Sequence, residues 1–165
     1  MTDIDQQIAA GLALERAGKE AEAIEHFRQL AEAHPDHARV MFEYAGAYDF
    51  AGREAEAVPH YRRARELGLR EAELMRWYVQ FGSTLRNVGQ LDEALAVLSE
   101  GCARWPENAA LRVFRAFVLL SLTRDRETAL DLLDLAIQHI HTADMVDYAR
   151  AIRWYTDDLK GLNPP

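Results

Sequence analysis

Cysteine is nearly absent: Cys102 is the one thiol in 165 residues, so an internal disulfide is excluded and a reducing compartment is expected. Long apolar runs are missing too. The longest, Val113 to Leu122, is broken by Arg115 and falls short of the roughly 20 residues a membrane helix needs, so no membrane partner is expected. The opening residues, MTDIDQQIAAGL, carry no basic cluster ahead of an apolar core, so no signal peptide is read there and a cytoplasmic location is expected. Positive charge is scarce: 19 Lys and Arg stand against 27 Asp and Glu, a net charge of -8. Such a chain lacks the surplus cations that replace phosphate counterions, so nucleic acid is not expected as a partner. With only 5 prolines and 9 glycines there is no low-complexity linker, and one domain over 1–165 is expected.

What is present recurs. A small residue is followed seven positions later by a breaker four times: Gly11 and Gly18, Ala45 and Gly52, Gly82 and Gly89, Ala116 and Thr123. An alanine comes five or six residues on (Ala23, Ala57, Ala94, Ala129), and a large apolar residue four after that (Phe27, Tyr61, Leu98, Leu133). Leu30, Ala64, Gly101 and Ala136 follow, and two units close on Pro35 and Pro106. The units are spaced by 34, 37 and 34 residues. Apolar residues within each fall at three- and four-residue intervals, the signature of two amphipathic helices. Gly18, Gly52 and Gly89 stand where the chain must reverse through a left-handed residue. The alanines allow two helices to cross closely and the large residues fill the space between units. Helix pairs are expected at about 4–17 with 20–34, 38–51 with 54–67, 72–88 with 91–105, and 109–122 with 125–140. Pro59 falls early in its helix, where a missing amide costs least. A further helix over about 143–160 carries an apolar stripe of Met145, Tyr148, Ala149, Ile152, Tyr155 and Leu159, suited to covering the open face of a stack.

The segments GLALERAGKEAEAIEHFRQLAEAHP, AGAYDFAGREAEAVPHYRRA and GSTLRNVGQLDEALAVLSEGCARWP resemble the tetratricopeptide repeat, and the likeness extends over nearly the whole chain. The unit AFVLLSLTRDRETALDLLDLA departs from it, with Thr123 in place of glycine and one extra residue before Ala129. The third and fourth units look like a small bacterial subgroup of such proteins. The resemblance implies an all-α fold, a right-handed α-solenoid of four helical hairpins (about 4–37, 38–71, 75–108 and 109–142) plus a C-terminal capping helix. It also implies that the first helix of each pair lines a concave groove.

On that implication the facing residues include Arg39, Phe42, Gly46, Asp49 and Phe50; Arg76, Val79, Ser83, Arg86 and Asn87; Phe117; and Arg150, Arg153 and Trp154. Asp5, Glu15 and Arg16 face the same way from the first unit. Six arginines (Arg16, Arg39, Arg76, Arg86, Arg150, Arg153) meet three acids on that face. Arginines and aromatics are the commonest interface anchors, and a guanidinium fork matches carboxylates. The groove is therefore expected to take a peptide or helix of a protein partner, acidic in character. The clamp that some relatives use for terminal carboxylates is absent, since its places hold Ile8, Leu12, Phe42, Gly46, Val79 and Ser83.

Catalytic chemistry is not expected. His139 and His141 stand two apart with Asp144 nearby, whereas helical metal sites favour three- or four-residue spacing. These three residues define the metal-dependent alternative; the leading expectation is no metal and no cofactor. Cys102 is read as a buried apolar thiol, with no histidine base close in sequence. GSTLRNVG has two glycines but follows a helix rather than a strand, so it is no phosphate loop. A secretion-type chaperone is the second binding reading, and self-association into a homodimer a third use of the surface.

Overall fold

The computed structural model describes residues 3–123, 148–159 and 161, and every regular element among them is a helix. The chain divides into two compact units, Met1–Val88 and Gly89–Pro165. The expected second helix of the fourth pair, with Ala129, Leu133, Ala136 and His139, lies outside the described residues, as do His141, Asp144 and the start of the expected last helix with Met145.

The first unit holds α1 (Asp3–Arg16), α2 (Glu20–Ala33), α3 (Ala38–Phe50), α4 (Glu54–Glu66) and α5 (Glu71–Asn87). Consecutive helices pack on one another, and α1 on α3 and α3 on α5. The turns are where the glycines put them. Gly18 has φ 70° and Gly52 φ 69°, and Gly68, which the repeat pattern does not mark, has φ 85°. At the head of α3 the His37 Nδ1 accepts the Val40 amide at 3.3 Å, whereas α2, α4 and α5 open without a side-chain cap. The alanines Ala23 and Ala57 are fully buried, as are Phe27, Phe42, Tyr61, Tyr78 and Leu85, which fill the unit's core. Side chains of this size each contribute about 1.5–3 kcal/mol through burial. His26 Nε2 lies 2.8 Å from the Gln7 carbonyl, tying α2 to α1. The Trp77 indole donates to the Tyr61 carbonyl at 2.8 Å, tying α5 to α4. Pro59 is the sixth residue of α4 rather than part of its first turn, and the helix continues through it.

The second unit holds α6 (Leu91–Arg104), α7 (Ala109–Thr123) and α8 (Ala149–Leu159). Gly89, at its start, has φ 79°. The Asn108 Oδ1 accepts the Leu111 amide at 3.0 Å at the head of α7. Ala94, Leu98, Leu111, Phe117 and Ile152 are fully buried. The apolar stripe expected on the last helix packs on α7: Tyr155 sets its ring on Phe114 and Phe117, and Tyr148, just before α8, sets its own on Phe114. The stripe also contains Thr156, which is fully buried because its hydroxyl donates to the Ile152 carbonyl at 2.8 Å. Gly161, two residues past α8, has φ 73°.

Candidate functional site

Three first helices, α1, α3 and α5, share one charged face in the first unit. Arg39 of α3 reaches Asp5 of α1 at 3.2 Å, Glu43 of its own helix at 3.6 Å and Glu73 of α5 at 3.8 Å. Arg76 of α5 holds both oxygens of Glu43 at 3.3 and 3.4 Å. Its guanidinium also sits 5.0 Å over the Phe42 ring, an arrangement that favours a cation on the aromatic face. Arg70 takes Glu73 at 2.8 Å. Glu43 is only 2% exposed, so its two arginines are obligatory company for a buried carboxylate.

Glu15, on α1, joins this group through its electrostatic contact with Glu43 and Arg76. Burial, then the Glu43 charge, pushes its carboxyl up to about 7, while Arg76 and Arg16 pull the other way. One of its carboxylate oxygens is buried without a hydrogen-bond partner. One α3 turn beyond Gly46, Asp49 is also desolvated, and burial raises it to about 7 against the hydrogen bonds of Thr84 and Tyr61. The Tyr61 hydroxyl donates to Asp49 at 3.2 Å. Thr84 in turn donates to the Gln80 carbonyl at 2.8 Å. A single carboxyl thus links α3, α4 and α5.

Asp49 belongs to the neighbouring group with Tyr61 and Thr84, while the structure brings Arg39 and Arg76 into the arginine–glutamate network. Phe42 is fully buried beneath it and forms its floor rather than a contact surface. Phe50 stands 49% exposed at the end of α3. Arg86 bonds to Asn87 at 3.4 Å, and Asn87 to Glu54 of α4 at 3.3 Å. In the second unit Phe117 is likewise fully buried, whereas Arg150 and Arg153 are exposed on α8 and Trp154 is 55% exposed. Cys102, expected buried, is half-buried, and that partial burial raises its thiol.

Sequence reasoning missed Glu43 and Glu73, the acids that engage the arginines. The signal for Glu43 was there: it is the one charge in the run VMFEYAGAY before Asp49, and an acid inside a buried apolar run needs a cation. Among the described residues no group of His, Cys, Asp and Glu could hold a metal ion, and no helix is long and apolar enough to cross a membrane.

A tetratrico peptide repeat family model matches residues 38–159, and a second tetratricopeptide repeat model matches residues 4–47. No curated protein matches the chain. Among solved structures, TTC0263, a thermophilic tetratricopeptide repeat protein of Thermus thermophilus, is similar over 98% of this chain and 83% of its own, at 18% identity and a TM-score of 0.66. PilF of Pseudomonas aeruginosa is similar over 98% of this chain and 77% of its own, at 19% identity and 0.65. YrrB, described as a tetratricopeptide repeat protein with an unusual peptide-binding site, is similar over 94% of this chain and 85% of its own, at 15% identity and 0.63. These likenesses establish the fold alone.

Proposed function

The chain belongs to the tetratricopeptide repeat family, and on that premise we propose that it is a non-catalytic, cytoplasmic scaffold that holds a peptide or helix of a protein partner. The fold supports a protein-interaction role; the face of α1, α3 and α5 is the candidate for it. The observation that carries this reading is the charged network laid over a fully buried floor. Charges held by cross-helix pairs are pre-oriented, so an arriving peptide meets groups that need not be ordered on binding. Phe50, half-exposed beside Asp49, adds an apolar contact of the kind that anchors interfaces. The peptide-binding site described for YrrB is a parallel on the same fold.

An acidic partner, expected from the count of arginines, would have to displace Glu43, Asp5 and Glu73 from Arg39 and Arg76 in this unit. That pairing weighs against acidic chemistry here and leaves the exposed Arg150 and Arg153 of the second unit as the cations open to solvent on α8. The test is affinity capture from the native cell with mass spectrometry. Phe50→Ala and Arg86→Glu should each lose the captured partner without loss of helicity by circular dichroism. Unchanged capture by both variants would overturn this assignment of the face.

A further inference from the structure

Gly46 has no duty in the fold. It lies within α3, outside the glycines that need a left-handed backbone. A Cβ placed there would meet nothing within 4 Å, whereas one at Gly11 would come within 2.5 Å of the Phe27 ring. A glycine inside a helix weakens it, and here no close packing accounts for the cost. Its neighbours on the helix face, three residues either way, are Glu43 and Asp49.

Around this open place the arginines are already engaged by acids other than Glu15. Arg39 and Arg76 are taken up by Asp5, Glu43 and Glu73. Glu15 is left with a buried oxygen that has no hydrogen-bond partner; Glu73 Oε2 and Arg39 Nε also lack one, but those two residues lie 3.8 Å apart and Arg70 holds the other Glu73 oxygen at 2.8 Å. We propose that this face takes a basic side chain of the partner, a lysine or arginine laid over Gly46 with its cation on Glu15 beside the Glu43–Arg76 pair. The proposal rests on the peptide-binding reading above and names the anchor of that peptide. A lysine or arginine stem is apolar and flexible, so it can cross the open backbone at Gly46 while its head reaches the carboxylate.

The electrostatics agree in sign. Burial and Glu43 hold Glu15 up at about 7, with Arg76 and Arg16 opposing. A cation set beside it favours the charged form, so docking releases a proton and tightens as pH rises through neutrality. Asp49, on the same face, is raised by burial with Glu54 adding to the rise and Thr84 and Tyr61 opposing it, and it responds in the same direction.

The experiment is selection of a random-peptide phage library on the immobilised full-length chain at about pH 8, in parallel on Glu15→Gln and on Gly46→Leu, each checked for native helicity by circular dichroism. The wild type should enrich peptides with a lysine or arginine at one fixed place. Synthetic versions should bind about five- to tenfold more weakly when that residue becomes glutamine, the value of roughly one such ion pair. They should also bind more weakly to both variants and at about pH 6. Enriched peptides without a basic anchor, or with acidic ones, or binding both variants as well as the wild type, would overturn the basic anchor while leaving the peptide-binding reading standing. No enrichment by any of the three proteins would overturn both.

Discussion

Asp49→Asn is the substitution with the most sharply defined consequence. The Asp49 carboxyl is held from its ordinary 3.8 up to about 7 by desolvation, against the opposing hydrogen bonds of Tyr61 and Thr84. In the unfolded chain it ionises near its ordinary value; in the folded chain it stays protonated until about neutrality. An acid raised on folding binds its proton more tightly in the native state, so stability is undiminished below the lower value and falls as pH climbs to the upper one. Each tenfold change in proton affinity is worth about 1.4 kcal/mol, so the full loss is about 4 kcal/mol and the part between pH 5 and 8 roughly 3 kcal/mol. Asparagine keeps the shape, accepts from the Tyr61 hydroxyl and offers an amide proton to Thr84, without the ionisation. Urea unfolding of the first unit, followed through Trp77 in a background where Trp105 and Trp154 are phenylalanine, should show the variant gaining on its parent by about 3 kcal/mol from pH 5 to pH 8. Parallel plots of stability against pH for the two proteins would refute the reasoning.

Other expectations follow from single contacts. Gly11→Ala should destabilise the first unit by about 1–3 kcal/mol in thermal melts, because its Cβ meets the Phe27 ring. Gly46→Ala, which meets nothing, should stabilise it by about 0.5–1 kcal/mol. Glu43→Ala removes the buried partner of Arg76 and Arg39, which stay partly solvated, and should cost about 1–3 kcal/mol in chemical denaturation. Ile152→Ala, at a fully buried position of the second unit, should cost about 2–5 kcal/mol, read from Trp105 and Trp154 fluorescence. A melt of Ile152→Ala indistinguishable from the parent would place Ile152 outside a packed core.

Much of the helical framework could be read from residue types and spacing, because those signals are local. Gly18, Gly52 and Gly89 end helices by a backbone geometry that glycine tolerates best, and Ala23, Ala57 and Ala94 are buried because a larger side chain would push the crossing helices away from each other. The charged face was legible only in some of its residues. Five facing places in thirteen span so much of a helix that some must turn toward the neighbouring helix, and Phe42 and Phe117 do. The pairing of Arg39 and Arg76 depends on Glu43 and Glu73, and the three-helix arrangement that brings them together spans sequence separations of about one repeat. Gly46 was read only as one of the facing places; the empty surroundings of its Cβ are what separate it from Gly11.

The most direct test of the central claim is site-specific photo-crosslinking in the native cell, with a photoreactive phenylalanine analogue placed at Phe50 on the first-helix face or at Arg63 on α4, exposed but outside the candidate face. The expected result is a discrete covalent adduct to one protein partner from Phe50 and none from Arg63. The same products from both positions, or an adduct from Arg63 alone, would contradict the assignment of binding to the face of α1, α3 and α5.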